Sequence, residues 1–317
     1  MSTASYNCPC CGGGPLKFSG ESGKLECTAC GNNYEPEALE MMTPEESIDE
    51  ITFANDAKRF DTGEAGMRAY FCKNCGAELM ADETAAAECP YCGSPTILPD
   101  RIEDGVKPEK VIPFVVTKEQ AQKQFEDYFK GKRLLPNIFL NGRNRISEMR
   151  RLYIPYWLFS CDACADMVYD AEKVHTEQKG EWEITRTKHY LVRRRGGMRF
   201  ENIPVDGSVK MDDKLTESLE PYDLSAAIPF QSAVLAGAMA DHADADCDAC
   251  EKRAVERSVE QTMLDTVRDY DTVSERSRRI IAERGSATPA LLPVWLMTTV
   301  KEGKTYTFAV NVQTGKL

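Results

Sequence analysis

The sequence has little histidine, 3 of its 317 residues. That scarcity argues against histidine-rich catalytic or metal sites, and His175, His189 and His242 lie in unrelated surroundings. It also lacks a long apolar run. The most apolar stretch, Leu152–Cys161, is about half the length that a membrane-spanning helix needs and contains Pro155. Met1–Gly14 carries neither the basic nor the apolar region of an export signal. There is no GxxxxGK[ST] phosphate loop, no GxGxxG, no HExxH and no GxSxG, so nothing in the chain announces an enzyme. Positive charge is scarce at the start: residues 1–66 hold 4 Lys and Arg against 12 Asp and Glu, a net of −8 out of −12 for the whole chain. Nucleic-acid binding relies on neutralising phosphates, so this acidic segment is a poor candidate for it. The remaining composition, 42% hydrophobic and 28% charged, is that of a globular protein of about two domains. A soluble, cytoplasmic protein is the expectation, placed in the cytoplasm or at the inner face of the membrane.

Cysteine, by contrast, is abundant, with 13 residues. In a reducing compartment disulfides are rare and paired CxxC motifs more often hold metal. Two CxxCG…CxxCG pairs open the chain. The first uses Cys8, Cys11, Cys27 and Cys30; the second uses Cys72, Cys75, Cys89 and Cys92. Zinc takes four soft ligands in a tetrahedron, and two thiolates on one tight turn supply half of it. The glycine after each second cysteine permits the positive-φ turn such a knuckle needs. Both are read as zinc ribbons, with Cys10 as a spare thiol whose use in place of a neighbour stays open. Ribbons of this size have little core, and metal binding would supply their folding energy. Chelation is therefore expected to unfold residues 1–98 and spare the remainder.

The expected organisation is a zinc ribbon over 1–40, a helical linker over 41–66, a second ribbon over 67–98 and an α+β domain over 99–317. Its sheet should be mainly antiparallel with an internal strand–hairpin repeat. In the linker, Thr43 as N-cap, Pro44 and the acids Glu45 and Glu46 predict a helix to Phe60, with Ile48, Ile51 and Phe53 on its apolar face. Residues 95–108 read as a second linker. Val111–Val116 reads as a strand, followed by a helix capped by Thr117 and Gln120 and running to about Lys130. Tyr153–Phe159 and Leu291–Met297 share a PxWL core, each followed by a polar turn and a further strand, with each tryptophan filling a core. Cys247 to about Tyr270 predicts an amphipathic helix with Val255, Val259, Met263 and Val267 on one face. Arg193, Arg194, Arg195 and Arg199 are a candidate anion site, though a solvated turn before Gly196 explains them as well.

The remaining four cysteines form twin CDAC tetrapeptides, Cys161 with Cys164 and Cys247 with Cys250. A shared third zinc is expected from them, stapling a strand end to a helix start; a disulfide or redox pair, or unpaired buried thiols, are the alternatives. His242 or Asp244 could instead contribute a ligand, though a solvated loop explains the Asp241–Asp246 run as well.

The order of these motifs resembles a bacterial family. The cysteine knuckles with Cys89-Pro90-Tyr91-Cys92, then Ile112-Pro113-Phe114, Tyr153–Phe159, Phe200–Ser208, Leu291–Leu296 and Val310–Lys316, are similar to transcription-factor-IIB-type zinc-ribbon proteins. Members are often labelled as relatives of the primosomal replication helicase. The resemblance implies a chain that continues past Lys316 into membrane-anchor helices, so this sequence is expected to be the soluble portion of a membrane-associated protein. It departs from the family's pattern at both CDAC motifs. The function expected is a non-enzymatic zinc-binding scaffold or adaptor with a protein partner. Nucleic-acid binding in transcription or replication is the first alternative, and thiol redox chemistry at the CDAC motifs the second.

Overall fold

A computed structural model describes residues 7–8, 15–42, 47–60, 68–81, 88–95, 97–100, 105–129, 149–301 and 304–316. In chain order the strands are β1 Leu16–Phe18, β2 Leu25–Cys27, β3 Asn33–Tyr34, β4 Ile48–Ala54, β5 Arg68–Cys72, β6 Glu78–Ala81 and β7 Ile97–Asp100. They continue as β8 Lys110–Val111, β9 Arg150–Lys179, β10 Trp182–Asp206, β11 Ile228–Pro229, β12 Met239–Asp241, β13 Thr272–Lys301 and β14 Lys304–Asn311. The α-helices are α1 Pro36–Met42, α2 Lys118–Phe129, α3 Asp213–Ser218, α4 Cys247–Val255 and α5 Gln261–Asp265.

The chain divides into two compact units. One combines Met1–Thr52, Asp162–Arg199 and Ser258–Glu283; the other combines Phe53–Cys161, Phe200–Arg257 and Arg284–Leu317. This is not the expected division at residue 98. The first pair of knuckles belongs to the first unit and the second pair to the second.

In the first unit, β1, β2 and β3 form a three-stranded antiparallel sheet, with Leu16 opposite Cys27 and Leu25 opposite Tyr34. Along β9, Ala163, Ala165 and Met167 are buried while Cys164 is exposed, the period-2 alternation of a half-buried strand. The polar positions are ion-paired. Arg193 on β10 makes two 2.7 Å bonds to Asp166, Arg199 reaches Asp162 at 2.7 Å, and Arg276 on β13 reaches Asp170 at 2.7 Å. Arg278 holds Asp49 and Glu260, each at 2.7 Å. The distal end of the β9–β10 hairpin, from Val174 to Tyr190, is exposed over most of its length, and Trp182 near its tip is 77% exposed.

In the second unit the sheet runs β11-β8-β13-β9-β12-β6-β5-β7, with β10 beside β9 and β14 beside β13. It is mainly antiparallel; β8–β13 and β9–β12 are parallel. The two tryptophans of the PxWL segments fill cores as expected. The Trp157 indole donates to the Ala245 carbonyl (3.1 Å) and the Trp295 indole to the Val116 carbonyl (2.9 Å). Phe114 sets its edge against Tyr153 and Trp295, with ring centres 5.0 and 5.5 Å apart. Helix α2 carries the expected capping box: the Thr117 amide donates to the Gln120 side chain at 2.8 Å and the Gln120 amide to the Thr117 hydroxyl at 3.3 Å. Ala121 and Phe125 are its buried positions.

Several expectations fail. Residues 48–54 are strand β4, not a helix; Thr43–Glu46 lie outside the described residues. The reason is the spacing of Ile51 and Phe53, which point inward two apart, in a segment rich in β-branched residues. Ladder pairing in 111–116 stops at Val111, because Pro113 has no N–H to donate. No turn follows the first PxWL segment: β9 continues to Lys179 and turns at Gly180, so the two segments are strands of different construction rather than matching hairpins. Arg193–Arg195 lie within β10, not in a turn. The helix from Cys247 passes through a π-helical turn at Glu256–Glu260 and ends at Asp265, short of Tyr270; Val255, Val259, Met263 and Val267 are all buried.

Candidate metal centres

The second set of knuckles forms a four-thiol cluster. β5 delivers Cys72, the turn before β6 carries Cys75, and the turn before β7 carries Cys89 and Cys92. All four sulfurs lie within 4.8 Å of one another. Cys72 Sγ is 3.6 Å from Cys92 Sγ, and Cys75 Sγ is 3.6 Å from Cys89 Sγ. A tetrahedral ion with metal–sulfur bonds of about 2.3 Å would need sulfur–sulfur edges of about 3.8 Å, so the donor set fits such an ion. Gly76 (φ 71°) and Gly93 (φ 68°) donate back to the carbonyls of Cys72 and Cys89 at 2.8 and 2.9 Å. A side chain at this φ would be strained.

Electrostatics also favour a cation there. Burial pushes the Cys75 thiol up to about 11 and Cys89 still higher. At Cys92 burial acts in the same direction but is outweighed by hydrogen bonds from Asn74, the Ser94 backbone and the Cys72 and Cys75 thiols, which bring it down to about 7. Four crowded thiolates are stable together only around a positive charge.

This centre is embedded in the second unit. Cys72 and Cys89 are fully buried in the cluster that includes Leu79, Leu152, Ile154 and Leu296. β6 pairs antiparallel with β12, Leu79 opposite Asp241 and Ala81 opposite Met239. The Tyr91 hydroxyl, between two ligands, donates to Asp241 Oδ2 at 2.5 Å, and the Ser208 hydroxyl donates to the same oxygen. Thr298 bonds the Pro90 carbonyl (2.9 Å) and Lys210 the Cys75 carbonyl (3.0 Å). Burial lifts the Asp241 carboxyl to about 7, against the pull of the Ser208 and Tyr91 hydrogen bonds. Burial and the neighbouring Asp241 raise the Tyr91 phenol well above its ordinary value. Sequence reasoning missed Tyr91, Asp241 and Ser208 as supports. The one available signal was a tyrosine inside a knuckle, and its partner is 150 residues away.

In the first unit Cys8, Cys27 and Cys30 converge, with Cys8 Sγ 3.6 Å from Cys30 Sγ and 3.3 Å from the Tyr34 hydroxyl. Backbone N–H groups of Cys30 and Ala29 pull the Cys27 thiol below its ordinary value. The expected fourth ligand, Cys11, lies outside the described residues, as does Cys10.

The four CDAC cysteines form no shared group of three or more ligand atoms among the described residues. Cys247 groups with Asp248 and Glu251 on one turn of α4, and Cys161 and Cys164 belong to no group of three or more ligand atoms among the described residues. Cys161 is buried on β9, Cys164 is exposed, and the Cys250 thiol donates to the Asp206 carbonyl at 3.6 Å. The physical reason is that β9 runs straight through Cys161–Cys164, so its alternation sends the ends of the tetrapeptide to opposite faces. Burial, with nearby acids, pushes Cys247 and Cys250 each up to about 12. His242 lies 3.9 Å from Glu78, and Asp244 accepts the Val209 amide; neither joins a metal group among the described residues.

Among the described residues no helix is long and apolar enough to cross a membrane. No family model matches the chain, and no solved structure matches it. It is similar to the uncharacterised protein YdjG of Bacillus subtilis (strain 168), with 34% identity over 316 residues that cover 99% of this chain and 88% of that protein.

Proposed function

From the geometry of its cysteine clusters we propose that this chain, which belongs to the same family as Bacillus subtilis YdjG, is a non-enzymatic zinc-binding scaffold. One zinc would knit the second unit together, and the other would shape a small ribbon that docks a protein partner. The carrying observation is the Cys72, Cys75, Cys89 and Cys92 cluster, closed by four sulfurs and packed into a hydrophobic core. Closed four-ligand sets are structural, whereas catalytic zinc keeps a position open. Four thiolates at tetrahedral spacing suit zinc, and Cys8, Cys11, Cys27 and Cys30 would hold the second ion. The twin CDAC motifs are left out of this reading, because they form no shared group of three or more ligand atoms among the described residues.

The adaptor role draws on the ribbon over β1–β3. Phe18 is 63% exposed on it, which suits a partner with an apolar contact. The zinc-ribbon family resemblance extends this to an assembly at the cytoplasmic face of a membrane. Two observations weigh against the alternatives. Two of the four arginines that would meet a phosphate backbone are committed, Arg193 to Asp166 and Arg199 to Asp162. Cys247 and Cys250 have raised pKa values, opposite to what a reactive thiol needs.

Native mass spectrometry of the full chain should find two zinc ions, one lost in Cys89→Ser and the other in Cys30→Ser. Affinity capture from the protein's own cells should recover a partner with the intact chain and lose it with Cys30→Ser. Iron in place of zinc would replace the metal assignment. Recovery of nucleic acid with steep salt dependence would replace the adaptor reading.

A further inference from the structure

Within the second unit lies a cavity of about 300 Å³ that the metal centres do not explain. Its walls come from the end of β10 (Val205 and Asp206), the following loop (Ser208, Val209 and Met211), helix α3 (Asp213, Thr216 and Glu217) and helix α4 (Ala249, Cys250 and Arg253). Arg257, in the π-helical turn after α4, and Tyr156 complete it. Its volume is at the lower end of small-molecule sites, and π-helical turns are frequent at functional sites.

The polar groups of this cavity are unevenly satisfied. Arg253 is bound to Glu217 and Glu256, and Arg257 to Glu220 and the Pro204 carbonyl. Neither guanidinium is left over to receive an anion. The carboxylates are different. Asp206 accepts the Ser208 amide (2.9 Å) and the Thr216 hydroxyl (2.7 Å), but no Lys, Arg or His pairs with Asp206 or Asp213 among the described residues. The second observation is independent of the acids. Tyr156 is 2% exposed and its hydroxyl has no hydrogen-bond partner. Tyr222, Asp206 and Glu220 act on it through their charge, and the neighbouring Thr216 hydroxyl, itself donating to Asp206, acts on it in the opposite direction. A buried hydroxyl left unpaired is costly, and Tyr156 belongs to the wall of a cavity in which Asp206 and Asp213 have no paired cation among the described residues. Val205, Val209 and Met211 supply an apolar wall. No group of three metal-ligating atoms forms at the cavity among the described residues, so its donors are not arranged for a metal ion.

We propose that this cavity binds a small ligand carrying an alkylammonium group. The ammonium sits against the Asp206 and Asp213 carboxylates and donates to the Tyr156 oxygen; the carbon chain lies along Val205, Val209 and Met211. A compact ammonium with three donors suits three separate acceptors in a narrow space. The site is independent of the zinc reading, since none of the proposed metal ligands lines it.

The test uses the full-length, metal-loaded protein and cadaverine, a straight-chain diamine, as the probe, with 1,5-pentanediol as the uncharged match in length. Calorimetry or ligand-detected NMR should show saturable cadaverine binding below about 1 mM, a modest affinity for so few atoms, and no saturable diol binding. Asp206→Asn should weaken cadaverine by about tenfold or more, the scale of one charge-assisted hydrogen bond, and Tyr156→Phe should weaken it less. Val209→Trp, at a mouth position that is 71% exposed, should block the cavity without disturbing the core, which keeps the test decisive should Asp206→Asn fail to fold. Absent cadaverine binding, equal binding of the diol, or binding untouched by Val209→Trp would overturn the proposal.

Discussion

Removing the metal from the four-cysteine centre should unfold the second unit rather than release a small module. The perturbation is Cys89→Ser, or a chelator strong enough to strip the site. Zinc-finger peptides gain about 10–16 kcal/mol from structural zinc, and a whole domain is typically stable by about 5–15 kcal/mol. Cys89 is 0% exposed and packs with residues from β5, β6, β9 and β13, so loss of the ion cannot be confined to the knuckles. What remains without the ion is a set of crowded thiols, with Cys75 and Cys89 protonated, and a turn still fastened through Tyr91, Pro90 and Cys75 to the sheet. Tryptophan fluorescence reads the outcome directly. Trp157 and Trp295 are buried in this unit, at 2% and 3% exposure, while Trp182 in the other unit is already exposed. Emission should shift to the red and the near-ultraviolet circular dichroism of the two buried indoles should collapse together with metal release. Cys30→Ser should leave both signals in place. Unchanged emission and dichroism after verified removal of the metal from Cys72, Cys75, Cys89 and Cys92 would refute the reasoning.

Three further outcomes are expected. Metal affinity at this centre should fall as pH drops, because Cys75 and Cys89 hold their protons tightly and must release them to bind; competition with a chromophoric chelator at pH 6 and pH 8 measures it, and a pH-independent affinity would contradict it. Tyr91→Phe should cost about 1–3 kcal/mol, since it strips one of two hydroxyl donors from the buried Asp241 carboxyl, read as a lower urea midpoint with an unchanged slope. Asp206 sits at about 6 in the folded chain against an ordinary 3.8. It is neutral in both states below the lower value and ionised in both above the higher, so burial makes it a destabilising group that takes effect as pH rises from about 4 to about 6. The wild-type stability should therefore fall across that window relative to Asp206→Asn, and parallel curves would show that Asp206 feels no such burial.

What could be read in advance was what is encoded within a few residues. The knuckles are legible because the thiol spacing and the following glycine are both local requirements. The same holds for the Thr117–Gln120 cap and for the buried stripe from Val255 to Val267. Segments whose state depends on distant pairing were misread. Thr43-Pro44-Glu45-Glu46 is a helix start in isolation, yet Ile48–Ala54 is a strand that pairs with β13, more than 200 residues on. Arg193–Arg195 look like a free basic patch until β9 brings Asp166 opposite them. The twin CDAC segments look equivalent as text. One is crossed by a strand and the other opens a helix, which places their sulfurs at different spacings and on different faces. Asp241 and Ser208 support the metal centre only because β12 and the loop after β10 arrive beside Tyr91, something no local pattern contains.

The pairing of β6 with β12 bears on how this protein can be divided. A fragment beginning at residue 99, after the last cysteine knuckle, would keep Met239–Asp241 but lose the strand that Leu79–Ala81 provides. β12 would then become a bare sheet margin, with open backbone donors and acceptors on one side and Met239, Leu152 and Ile154 stripped of the cover that the knuckles lend them. Such margins recruit other chains. The division that the cysteine pattern suggests on paper would therefore yield an aggregating product. Cuts that respect the sheet must keep both knuckles of the second pair with the chain that follows.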